Sequence, residues 1–313
     1  MRGAMKVIRN CLGVRSGDKV LIITDSGIDP FVSACLFQAA TQLRAEPVTA
    51  TIPIRSSAND DPPRRVVRMM LQSDAIACPT TVTMFYTNSA RRACSGGARL
   101  VAMTGATTQV LSNGAIEANF EKQKPLVEAL AKRLSNAKRI LIQAPAGTRI
   151  SASLTGRRAI ANTGISKEPG ELTGVPDIEA YIAPVESSVN GTIVVDATIS
   201  GYGLVRKPVR LQIRHGKVSG IADGPCRTYL EKALRVGGRS ASQVAEIGIG
   251  LNPKAKIRGA IVEDESALGT AHIALGDNSR FGGKNLARVH IDLVFKNPKI
   301  TLDNKLLNLK QGL

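Results

Sequence analysis

A chain of 313 residues exceeds the usual reach of one hydrophobic core, so two domains are expected. With 43% hydrophobic and 21% charged residues, and no run near the ~20 apolar residues of a membrane helix, the composition excludes a disordered chain and a helical membrane protein. The formal charge of +17 raises the question of nucleic acid, but aromatic residues make up 3% with no Trp, which argues against binding by base stacking.

The first half alternates strand and helix patterns. Asp18 to Asp25 reads as a buried strand, and a helix is predicted from Pro30 to Arg44 with Phe31, Cys35, Leu36, Ala39 and Leu43 at helical spacing. Asp29 is its expected N-cap, with Pro at the first helical position. Further strands are predicted at Pro47 to Ile52, Asp74 to Cys78, Arg99 to Met103 and Arg139 to Gln143, and helices at Pro62 to Gln72, Asn88 to Cys94 and Ala115 to Leu134. This alternation predicts an α/β domain over residues 1–165 with a mostly parallel sheet. No G-x-G-x-x-G or Walker pattern follows any of the strands, so Gly and Ser in their loops read as turn chemistry rather than a nucleotide site.

Near Ser166 the texture changes to β-branched alternation and Gly turns. Strands are predicted at Glu179 to Val185, Asn190 to Asp196, Val209 to Ile213, Lys217 to Ile221, Ala271 to Leu275 and Val289 to Phe295, with one helix near Arg227 to Val236. His215-Gly216-Lys217 reads as a hairpin turn. Residues 166–313 are therefore expected to form an α+β domain. The positive charge is uneven, with 22 basic against 10 acidic residues in positions 1–165 and 20 against 15 in the remainder. The basic pairs are dispersed, as on a solvated surface. Five cysteines, odd in number and without a C-x-x-C pair, are expected to be reduced and buried. The first ten residues lack the apolar core of a signal peptide, which makes a cytoplasmic protein the expectation.

The chemistry-bearing residues gather in the second half. In Arg288-Val289-His290-Ile291-Asp292-Leu293-Val294-Phe295, His290 and Asp292 are two apart and leave one face of a strand together. That is how a rigid element presents two metal ligands; an amphipathic strand with a polar outer face gives the same pattern. His272 sits in a second apolar run, and Glu246 and Glu179 lie among small and apolar residues. Carboxylates in such settings are paired or ligating. Together Glu179, Glu246, His272, His290 and Asp292 offer two nitrogen and three carboxylate ligands, a mixture that suits one or two divalent transition metals.

The order of Glu179 in P-x-x-E before Asn190-Gly191-Thr192, Glu246-Ile247-Gly248-Ile249-Gly250, His272-Ile273-Ala274-Leu275-Gly276 and His290-x-Asp292 resembles the thermophilic metalloaminopeptidase family of aminopeptidase T. The resemblance implies a metal role for all five residues. Two divalent ions (Zn, Co or Mn) would activate water against a peptide, in a cytoplasmic homodimer that acts on peptides or small molecules. It implies catalytic roles for Glu179 and, through Asp264-Glu265-Ser266, for Glu265. The family has a tyrosine where this chain has Ser279. The segment from Gly282-Gly283-Lys284 through Ile300-Thr301-Leu302-Asp303 is also similar to the dihydroxypyridine ring-cleaving dioxygenases, which keep one Fe(II) on two histidines and a carboxylate. Those enzymes have a histidine at the Glu246 position and no ligand at Glu179 or His272, so the ligand set favours the peptidase, with the dioxygenase as the alternative. A third reading, of another class, is a non-catalytic binding protein that uses its basic N-terminal domain.

Overall fold

The computed structural model describes residues 2–308. It separates into two compact units, Met1–Glu121 with Asn162–Ile178, and Lys122–Ala161 with Glu179–Leu313. The change of texture near Ser166 falls inside the segment 162–178, which contributes a strand to the first unit.

The first unit is built on a parallel sheet in the order Glu46–Ile52, Lys19–Asp25, Ala75–Thr80, Arg99–Thr104 and Leu172–Gly174. Its central strands are buried almost end to end, as expected of strands with both faces covered. Leu21, Ile23, Ile76, Cys78, Leu100 and Ala102 join Met70 and Met84 in its core. The helix Pro30–Gln42 starts where its cap signals place it, with Asp29 accepting from the Phe31 amide at 2.9 Å. All five cysteines are buried and free.

The second unit holds two antiparallel sheets. One runs Lys217–Ile221, Val209–Arg214, Asn190–Val195, Arg149–Ser153, Arg139–Gln143, Lys299–Leu302, Lys305–Leu306. Arg139–Gln143, expected in the parallel sheet, belongs here. A short turn at Ala144 to Thr148, closed by hydrogen bonds from Ala144 N to Thr148 O and from Gly147 N to Ala144 O, returns the chain at once. A turn that short permits an antiparallel neighbour; a parallel one needs a crossover of a dozen residues or more. His215 and Gly216, both at positive φ, form a two-residue hairpin turn, and Lys217, expected in the turn, already pairs with Arg214.

The other sheet runs Gly203–Leu204, Thr198–Ile199, His290–Lys296, Thr270–Gly276, Val244–Gly250, Glu179–Ile182, Ile160–Asn162. One face is apolar, with Ile247, Ile249, Ile273, Leu275, Ile291, Leu293 and Phe295 buried. The opposite face carries the ionisable residues. No helix among the described residues is long and apolar enough to cross a membrane.

Candidate metal centre

Cross-strand register assembles the site. Glu246 pairs with Ala274, and Ala274 with Asp292; Gly248 pairs with His272 on one side and Tyr181 on the other; Gly250 pairs with Glu179. Residues directly opposite one another share a face, so Glu179, Glu246, His272, His290 and Asp292 point to the same side. A register shift between Val244 and Glu246 makes this possible. Val244 opposes Leu275 of the apolar face, whereas Glu246, after one extra residue, opposes Ala274 of the site face. Without that bulge Glu246 would fall in line with Ile273.

Small residues make the room. Gly248 lies under the His272 imidazole, and a Cβ there would overlap the ring. Gly276, at φ +112°, lies so close to the Val289 carbonyl that a side chain would collide with it.

The side chains meet closely. His272 Nε2 is 3.1 Å from Glu246 Oε1 and 3.6 Å from Glu179 Oε2. His290 Nε2 is 3.5 Å from Glu246 Oε2 and 3.3 Å from Asp292 Oδ1. Glu246 therefore stands between the two imidazoles, one oxygen toward each. Ligand atoms of Glu265, His272 and Asp292 also lie within 4.8 Å of one another, as do those of Glu179, Glu246 and His272. All five sequence-predicted ligands and Glu265 are thus brought together in one unit, while His215 remains in its hairpin turn.

Groups outside the predicted set hold these side chains. His290 Nδ1 is 2.9 Å from the Asp277 carbonyl, which places a proton on Nδ1 and turns Nε2 toward Glu246 and Asp292. The Ser200 hydroxyl donates to Asp292 Oδ2 at 2.8 Å. Phe281 packs its ring edge-to-face on His290 with centroids 5.9 Å apart, and Tyr181 packs on Phe281 at 5.5 Å. Sequence reasoning missed all of these because none carries a motif. The one signal that bears on Asp277 is its place directly after the Gly276 that ends the His272 run.

Electrostatics ask for a cation. Burial by itself lowers the His290 pKa, but the Asp292 carboxylate, with Glu246 and the Asp277 carbonyl, outweighs it and pushes the value up to about 10. Burial raises Asp292, yet the His290 charge and hydrogen bond hold it well below the usual carboxylate range. Glu246 is 3% exposed, and its Oε2 accepts no hydrogen bond among the described residues. A carboxylate oxygen so placed, among imidazole nitrogens and further carboxylates that outnumber them, fits a divalent metal ion.

The sequence model of the 2,5-dihydroxypyridine 5,6-dioxygenase family matches residues 3–312. The chain belongs to that family. A curated 2,5-dihydroxypyridine 5,6-dioxygenase of Pseudomonas putida KT2440 is 26% identical over 198 residues, 59% of this chain and 57% of that protein, so the match spans a little over half of the relative's length. The solved 2,5-dihydroxypyridine dioxygenase of Pseudomonas putida KT2440 shares its fold, with a TM-score of 0.82, 21% identity and coverage of 97% and 94% of the two chains. AmpT of Thermus thermophilus shares the fold at a TM-score of 0.68 and 14% identity, covering 96% and 94%.

Membership of the dioxygenase family overturns the expectation of a metal-dependent aminopeptidase, and with it the hydrolase, metallopeptidase and protease readings and the peptide substrate. The resemblance to aminopeptidase T is one of fold. Histidines and carboxylates that face one another select a class of metal, not the bond that is broken beside it. Ser279, where a phenol was expected, was the informative departure. Its amide and hydroxyl both donate to Asp277 Oδ1, at 3.1 and 2.9 Å, so it serves the turn that carries the Asp277 carbonyl.

Proposed function

We propose that this protein is a mononuclear non-haem Fe(II) dioxygenase that opens the ring of a dihydroxylated pyridine. The observation that carries the reading is the convergence of two imidazoles and the Asp292 carboxylate on one sheet face, in a chain whose family model is that of a 2,5-dihydroxypyridine 5,6-dioxygenase. A pair of histidines with a carboxylate is the set that suits ferrous iron with positions left open. His290 and Asp292 are proposed ligands at positions the family also uses; Glu246 stands where those enzymes have a histidine, and the adjacent His272, 3.1 Å from Glu246 Oε1, is proposed to supply the second imidazole, with Glu179 flanking them. When bound, the iron supplies redox chemistry toward dioxygen that no protein side chain provides.

The chain's own residues orient and exclude. The Asp277 carbonyl fixes the His290 tautomer, and the buried Phe281 ring limits how that imidazole turns and keeps water from its flank. Glu265 is half-buried beside His272 and Asp292 and is the proposed group to take a hydroxyl proton from the substrate, with Glu179 as the second candidate.

The test is oxygen uptake. Protein reconstituted anaerobically with Fe(II) and mixed with 2,5-dihydroxypyridine and dioxygen should consume one O2 per ring opened, with loss of the aromatic absorbance. Iron-loaded protein that leaves both the oxygen level and the spectrum unchanged would end this reading.

A further inference from the structure

Ser200 is held more tightly than a surface serine has reason to be. It follows the short strand Thr198–Ile199, which pairs with Leu293 and Val294, and its own amide extends that ladder by donating to the Asp292 carbonyl at 3.0 Å. Its carbonyl accepts from the Tyr229 hydroxyl at 2.6 Å. The next residue, Gly201, turns the chain at φ +73° so close to the Tyr229 hydroxyl that a Cβ would overlap it. Tyr202 then packs on Tyr229 with centroids 5.5 Å apart. The backbone of Ser200 is therefore clamped from two sides, and its hydroxyl is a fixed group rather than an adaptable one.

Among the described residues that hydroxyl makes two hydrogen bonds, both with Asp292. It donates to Oδ2 at 2.8 Å and accepts from the Asp292 amide at 3.0 Å. The other carboxylate oxygen, Oδ1, faces His290 Nε2 at 3.3 Å. The two oxygens of one carboxylate are thus given different work.

We propose that Ser200 is a positioning residue: by holding Oδ2 of Asp292 it keeps the carboxylate from rotating and presents Oδ1 alone beside His290 Nε2. This rests on the metal-centre reading above, and it adds the residue that decides which oxygen of Asp292 faces the site. A carboxylate that is fixed by a hydrogen bond loses less freedom when it ligates, and a one-oxygen ligand leaves a coordination position open for substrate or dioxygen.

The test uses the full chain loaded with Co(II), whose visible d–d bands weaken as coordination number rises. In Ser200→Ala, Co(II) affinity should fall about tenfold, the lower end of what loss of such a partner costs. The d–d bands should weaken as well, because the freed carboxylate can chelate through both oxygens. Ser200→Thr keeps the hydroxyl and should restore both. Wild-type affinity and spectrum in Ser200→Ala, or a deficit that Ser200→Thr leaves unrepaired, would overturn the proposal. Wild-type protein that takes up no Co(II) would overturn the metal centre and this proposal together. Wild-type protein that binds Co(II) normally but takes up no dioxygen with Fe(II) and 2,5-dihydroxypyridine would remove the proposed reaction and leave the role of Ser200 standing.

Discussion

Two buried carboxylates, one in each unit, show how a structural acid differs from an acid that waits for a cation. Asp25, at the end of a strand in the parallel sheet, is 2% exposed and accepts from the Gly27 amide at 3.0 Å, the Thr81 amide at 2.7 Å and the Thr81 hydroxyl at 2.7 Å. Three donors thus meet its two oxygens. Glu246, in the antiparallel sheet, is just as buried, yet its neighbours are two imidazoles and other acids. Burial alone does not separate the two. The count of protein donors does: three meet Asp25, whereas Glu246 has the His272 imidazole on one oxygen and no hydrogen bond on the other among the described residues.

The sharpest way to break this contrast is His290→Ala. On the proposed reading, loss of a ligand should cost about 10³-fold in turnover of 2,5-dihydroxypyridine, equivalent to about 4 kcal/mol, since a bound metal is worth several kcal/mol to such a reaction. Iron content after anaerobic reconstitution should fall with it, while far-UV circular dichroism stays at the wild-type level. A His290→Ala protein that keeps its iron and its turnover would place the chemistry elsewhere.

Asp25→Ala should have the complementary result. It strips the shared partner from the Thr81 amide and hydroxyl at the C-terminal ends of two inner strands of the parallel sheet, and the loss should destabilise the protein by about 2–3 kcal/mol in urea unfolding. Iron stoichiometry in the folded variant should remain that of wild type. If Asp25→Ala instead loses its iron, the donor count is the wrong criterion.

Much of this was legible in the sequence, and what was not has identifiable causes. Alternation in Arg288 to Phe295 placed His290 and Asp292 on one face because the period of a strand is fixed, and the continuous apolar run at Val20 to Ile23 announced a strand covered on both sides. The position of Glu246 was not legible in the same way: its face depends on a bulge, and an extra residue in one strand is visible only against its partner. The Arg139–Gln143 strand was assigned to the wrong sheet because strand propensity says nothing about neighbours, although the turn at Ala144 to Thr148 held the answer. Ser200 and Asp277 act through a hydroxyl and a main-chain carbonyl, neither of which has a sequence signature. The reaction was misread because ligand types encode the metal more strongly than the substrate.

The smallest effect should come from Gly248→Ala, and it asks whether the glycine cradle or the ligand set places His272. A methyl group at position 248 cannot coexist with the imidazole where it stands, since it would overlap the ring. The neighbouring chain is regular strand on both sides, paired to Tyr181 and to His272 itself, so the backbone has little freedom to retreat. The ring must move instead, which changes its place beside Glu246 Oε1. If His272 is a ligand, metal affinity should drop about tenfold, in the range set by misplacing an inner group rather than deleting it. Turnover at saturating iron should recover most of its wild-type value, because His290, Asp292 and Glu246 are left in place. Unchanged affinity would mean that His272 serves Glu179 and Glu246 as a buried hydrogen-bonding partner, and the iron would then rest on His290, Asp292 and Glu246.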